Sequence, residues 1–201
     1  MLKHTLLMHT SLTHYEMQLV NDAQILIIKN KIMKMVSALL GDVAIAYSEV
    51  LQAKNVLKEC TVPAKISRGE NYLGLPYVIL DYPRQFGKTD VFAVRSFFWW
   101  GNFFSITLHL SGQYQVQYAS SIQKAVKQGY FDGWFIGTVA VDPWQHHFEE
   151  DNYTPITKES LYNIAAMPFL KLSKKIPLRE WDCANTFFTE NFIMLIKTLT
   201  S

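Results

Sequence analysis

Hydrophobic and polar positions divide the chain into a helical first quarter, a β-rich middle and a helical end. From residue 15 to about residue 58, polar residues recur every three to four positions, at Asn30, Lys34, Ser37 and Gly41 and again at Ser48, Gln52 and Asn55. The positions between them are largely apolar, which predicts helix with a wide buried face. Gly41-Asp42 reads as the break, glycine closing one helix and aspartate capping the next. A helical hairpin or one bent helix fits. So does a homodimer contact through these helices, because so much apolar helix surface needs cover. Residues 1–13 read as a weakly ordered leader.

Pro63, Gly69, Asn71, Gly74 and Pro76 mark a loop or short irregular strands. Residues 77–82 form a β-branched and aromatic run that Pro83 ends. Two further strands, 91–100 and 103–110, flank Gly101-Asn102, a pair suited to a two-residue hairpin turn. That turn sets Trp100 opposite Phe103. One face then carries Ala93, Arg95, Phe97 and Trp99 with Phe104, Ile106, Leu108 and Leu110. The other carries Val94, Ser96, Phe98 and Trp100 with Phe103, Ser105, Thr107 and His109. A shift of one residue would move Arg95 to the polar face.

Residues 113–118 alternate like a strand. Tyr114, Tyr118, Ile122 and Val126 also fall at helical spacing with Gly129 beyond, which favours a helix over 112–128. A strand at 134–141, a polar loop at 142–156, a short helix at 158–166, an edge strand at 169–172 and a helix over 178–198 complete the pattern. Strands grouped together and helices segregated predict an α+β fold: N-terminal helical segments, an antiparallel meander packed by helices, and a C-terminal helix. The whole reads as a single domain over 1–201, mainly β with one helix across 61–156.

Composition supports a folded chain. Of 201 residues, 49% are hydrophobic and 18% charged, enough apolar surface to offset chain entropy. The net charge of +2 argues against a nucleic-acid partner. Lys171, Lys174, Lys175 and Arg179 read as a solvated edge. With no secretory pattern and no apolar run near the ~18 residues of a membrane span, the expectation is a cytoplasmic protein that does not engage a membrane. Cys60 and Cys183 read as reduced, buried thiols rather than a disulfide framework.

Four places carry candidate chemistry. Gly87-Lys88-Thr89 copies the end of a phosphate loop, but Tyr82 stands where the first glycine belongs, so it reads as a hairpin loop. His146, His147, Glu149 and Glu150 cluster with Asp142 and Asp151; they are weak catalytic candidates. His146, Glu149 and Glu150 share a helical face and are a weak metal-ligand alternative, with His109 as a third ligand. The bland reading is a polar loop that Trp144 and Phe148 anchor to the core. Arg95 in an apolar face needs a carboxylate such as Asp81, or an anionic ligand. Last, the mixed face suggests a ligand surface of Arg84, Lys88, Arg95, Phe98, Trp100, Thr107 and His109. Cys60 with His109 would make a nucleophile and base only if the fold joined them.

No cofactor is expected, and no metal beyond that alternative. The function expected is non-catalytic binding of a small molecule or protein through the aromatic, partly basic sheet surface. The alternative is a metal-dependent hydrolase using residues 146–151.

Overall fold

The computed structural model describes residues 11–54, 62–138, 142–157 and 167–200. The expected helix at 158–166, the leader up to residue 10 and Cys60 lie outside them. The chain divides into two compact units, Met1–Met35 and Val36–Ser201.

The first unit holds α1 (His14–Asn21) and the start of α2 (Ala23–Lys54). Thr13 begins α1 with a capping box: its hydroxyl accepts from the Glu16 amide, and the Glu16 carboxylate accepts from the Thr13 amide. The helical break falls at Asp22, not at Gly41-Asp42. Gly41 continues the helix because Leu40 and Val43, both fully buried, hold the turns on either side. Their packing outweighs glycine's cost of about 1 kcal/mol. α2 is long and apolar enough, by length and composition alone, to cross a membrane. That revises the expectation that no segment comes near such a length. From Val36 onward its stripe of Leu40, Val43, Tyr47 and Leu51 is nevertheless buried in the second unit.

The second unit is built on a seven-stranded antiparallel sheet, which makes the fold α+β. Its strands are β1 (Lys65–Tyr72), β2 (Leu75–Phe86), β3 (Val91–Trp99), β4 (Phe103–Ser111), β5 (Phe135–Gly137), β6 (Tyr153–Pro155) and β7 (Phe169–Pro177). They lie in the order β1-β2-β3-β4-β7-β5-β6. The helix α3 (Gln113–Lys127) follows β4, as its periodicity predicts. A 3-10 segment, Leu178–Cys183, leads into α4 (Ala184–Leu199), so the last helix starts later than residue 178. Cys183 is exposed rather than buried, at the mouth of that helix.

Three strand expectations are corrected. Pro83 does not end β2; a bulge between Asp81 and Arg84, with a cis Tyr82–Pro83 bond, carries the strand on to Phe86. β7 is not an edge strand and runs beyond residue 172. It pairs with β4 along its whole length and with β5 on its other side. The hairpin turn holds three residues, because the strand ends at Trp99 and Trp99 pairs with Phe103. Gly101, at φ 74°, supplies the left-handed step.

That one extra residue exchanges the faces of β4 relative to β3. Arg95 pairs with Thr107, Ala93 with His109 and Phe97 with Ser105. Val94, Ser96 and Phe98 share the other face with Leu108, Ile106 and Phe104. This second face meets the helices. Tyr47 of α2 stacks on Phe192 of α4 with centroids 3.7 Å apart, and its hydroxyl meets Ser96 Oγ at 2.9 Å. Phe104 packs on Phe188, and Phe92 on Tyr114 and Tyr118 of α3.

Candidate functional site

The face turned away from the helices is covered by the loop at 142–152. Strand alternation sets which side chains meet that loop. Asp81 of β2, Arg95 of β3, Thr107 and His109 of β4, and Lys171 and Ser173 of β7 lie across four neighbouring strands in paired register.

Arg95 is clasped by Asp81. Its Nε donates to Oδ1 at 2.7 Å and its Nη2 to Oδ2 at 3.1 Å, a bidentate pair. The carboxylate partner anticipated for Arg95 is therefore present. The third nitrogen, Nη1, donates to His146 Nε2 at 3.3 Å, and the guanidinium lies 5.4 Å from the Trp144 ring centroid.

Lys171 is almost wholly enclosed, at 2% exposure. Its ammonium donates to the Gln145 carbonyl at 3.0 Å and to Asn152 Oδ1 at 2.9 Å, and lies 4.6 Å from the Tyr153 ring centroid. Both of these acceptors are uncharged oxygens. Gly137 makes room for the lysine stem, since a Cβ there would lie 2.8 Å from Lys171 Cβ. Burial lowers the lysine pKa to about 8; nearby Asp142 opposes the fall and Arg95 adds to it.

The two imidazoles are kept neutral. Burial first, then the charges of Lys171 and Arg95, pushes His109 down to about 4. His146 is lowered well below the usual range by burial, then by Arg95 and Lys171. It packs against Phe97, centroids 4.7 Å apart and the rings tilted by 39°. Thr107 Oγ1 and Ser173 Oγ meet at 2.8 Å beside Tyr153, whose phenol burial pushes up to about 12.

Tyr72 and the rings of Trp144 and Phe148 hold the loop down. The Tyr72 hydroxyl accepts from the amides of His146 and His147 at 2.7 and 3.0 Å and donates to Gln145 Oε1 at 3.2 Å. Trp144 sits edge-on to His109 and Phe86, and Phe148 packs on Phe103, Tyr153 and Phe135. Beneath the loop Arg95, Thr107, His109, Trp144, Tyr153 and Lys171 line a cavity of about 10 Å³, the room of one water-sized group. A larger open groove of about 740 Å³ runs past Lys54, Glu190 and Lys197. Those three side chains are exposed.

Of the ligand-binding residues expected from the sequence, Arg95, Thr107 and His109 come together here. Phe98 faces the helices, against Trp181, and Trp100 sits in the hairpin turn. Arg84 donates to the Pro63 carbonyl, and Lys88 is exposed between β2 and β3. In that turn the Gly87 amide bonds the Asp90 carbonyl, and a strand follows, as expected of a hairpin loop rather than a phosphate loop. His146 faces the cavity, whereas Glu149 and Glu150 are exposed, so the proposed metal trio is not assembled. His147 Nδ1 lies 3.8 Å from Asp151, too far for a hydrogen bond. Among the described residues no three His, Cys, Asp or Glu side chains are grouped to hold a metal ion.

Sequence reasoning missed Lys171 as a site residue, together with Tyr72 and Tyr153. The signal for Lys171 was its period-two relation to Phe169 and Ser173, hidden by the neighbouring surface lysines. Comparison with protein-family models, with curated proteins and with solved structures gives no match.

Proposed function

We propose that this protein binds a small anion, a carboxylate or a phosphate, beneath the 142–152 loop, without catalysing a reaction on it. The observation that carries this reading is Lys171: an enclosed ammonium that donates to the uncharged oxygens of Gln145 and Asn152, beside a second cation at Arg95. A buried cation costs free energy unless a counter-charge meets it. Asp81 already answers Arg95. A bound anion would answer Lys171, with Thr107 and Arg95 Nη1 as further donors. The neutral histidines, Trp144 and Tyr153 supply the mostly apolar walls common to ligand pockets. Because the cavity holds only one water-sized group, a ligand enters as the loop lifts and Trp144 moves aside.

The hydrolase reading has weaker support, since it needs Glu149 or Glu150 to turn inward from solvent. The test is a thermal-shift titration with inorganic phosphate and with succinate. At a hundred times its dissociation constant a ligand adds about 2.7 kcal/mol, a rise of roughly 5 to 10 °C for a chain of this size. Lys171→Met should fold and lose the shift. No shift with either anion, or an undiminished shift in Lys171→Met, would overturn the reading.

A further inference from the structure

We propose that the helical segment at residues 14–35 docks on an anionic lipid surface. Scattered exposed apolar side chains are ordinary; here they are consecutive. Ile25, Leu26, Ile27 and Ile28 are exposed at 41, 62, 57 and 52%. At about 100° per residue, four successive positions point around most of the helix. One flat partner face would leave some of them in water. A turn apolar over most of its circumference, with Lys29, Asn30 and Lys31 next to it, is covered better where it sinks into the headgroup–acyl boundary of a bilayer.

Charge chooses the occupant. Between Asp22 and Asp42 the charged residues are Lys29, Lys31 and Lys34, and no acid stands among them. A second copy of the chain laid along this stretch would bring lysine onto lysine. A bilayer with anionic headgroups offers an apolar interior for Ile25–Ile28 and negative charge for the lysines that follow. Each lysine near such a surface adds favourable attraction, and its flexible stem lets the ammonium reach the headgroups while the apolar turn enters. The lysines also make lying in the interface the better arrangement than spanning, although α2 has the length and composition to cross. The expectation of no membrane contact, drawn from apolar run length, does not test this mode of attachment.

The experiment is flotation of the full chain with vesicles of phosphatidylcholine alone and with about a third phosphatidylserine. Binding should appear on the anionic vesicles, fall with added salt, and drop about a hundredfold when Lys29, Lys31 and Lys34 are all changed to Gln. The double variant Leu26→Ser, Ile27→Ser should lose binding while melting like the parent, because both side chains are exposed and leave no cavity. Failure to float, equal binding to neutral vesicles, or light scattering showing a dimer that Leu26→Ser, Ile27→Ser dissolves would each overturn the proposal. The last outcome would assign the surface to a second copy.

Discussion

The two faces of the sheet are built from the same strands and solve opposite problems. The helix-covered face buries Val94, Phe98, Phe104, Ile106 and Leu108, with Ser96 and Tyr47 as a closed polar pair. The loop-covered face buries Asp81, His109, Lys171 and Ser173, and half-buries Arg95, among rings. Apolar burial contributes free energy in proportion to area, whereas each buried charge costs free energy that a partner must offset. The first face therefore supplies stability along its whole length, whereas the second does so at the end where Ile79, Phe97, Trp99 and Phe103 pack together and elsewhere holds groups that stability alone would not select. A seven-stranded sheet accommodates both because successive residues on a strand point to opposite sides.

Deleting a large ring on the helix-covered face breaks the comparison hardest. Phe104 is fully buried against Phe98, Trp181 and Phe188. Phe104→Ala should cost about 3 to 5 kcal/mol in urea unfolding. The anion affinity proposed for the small pocket on the other side should persist in whatever fraction remains folded. Loss of affinity in that folded fraction would show that the faces are coupled.

The next effect belongs to the loop-covered face and is driven by pH. The folded pKa of His109 is lowered to about 4 from an ordinary 6.5. Between those values the unfolded chain binds a proton that the folded chain refuses. Stability is therefore intact at pH 7 and falls as pH drops from 6.5 toward 4, by about 3 kcal/mol. His146 acts in the same direction. Urea melts across this range should show the slope, and His109→Gln should flatten it. An unchanged slope in His109→Gln would mean that His109 is not the group held neutral.

Much of this architecture was legible in the sequence. Tyr114, Tyr118, Ile122 and Val126 announced α3, and Arg95 announced its need for a carboxylate such as Asp81 or an anionic ligand. The errors came where local pattern is silent about partners. Gly101-Asn102 fits a two-residue turn as well as the three-residue one observed, and that difference of one moves Thr107 and His109 onto the side of Arg95. Lys171 looked like part of a solvated basic cluster because nothing local says that β7 has neighbours on both sides. The cover of the site joins Tyr72 to His146, and no periodicity links residues 74 positions apart.

The smallest expected effect sharpens the comparison most, because it asks whether the loop moves independently of the sheet. Tyr72→Phe keeps the ring against Phe97 and Trp99, at 5.8 and 5.1 Å, and removes only the hydroxyl, which receives the His146 and His147 amides and donates to Gln145 Oε1. Two such bonds are worth about 2 kcal/mol together. Amide exchange at His146 and His147 should therefore quicken by roughly ten- to thirtyfold, with phosphate leaving faster to match. Amides of β3 and β4 should exchange as before, since their ladder is untouched. Unchanged exchange in the loop would assign its hold to the Trp144 and Phe148 rings. Faster exchange throughout the sheet would mean that loop and sheet open as one unit, and then the polar face would be a part of the scaffold rather than a site carried by it.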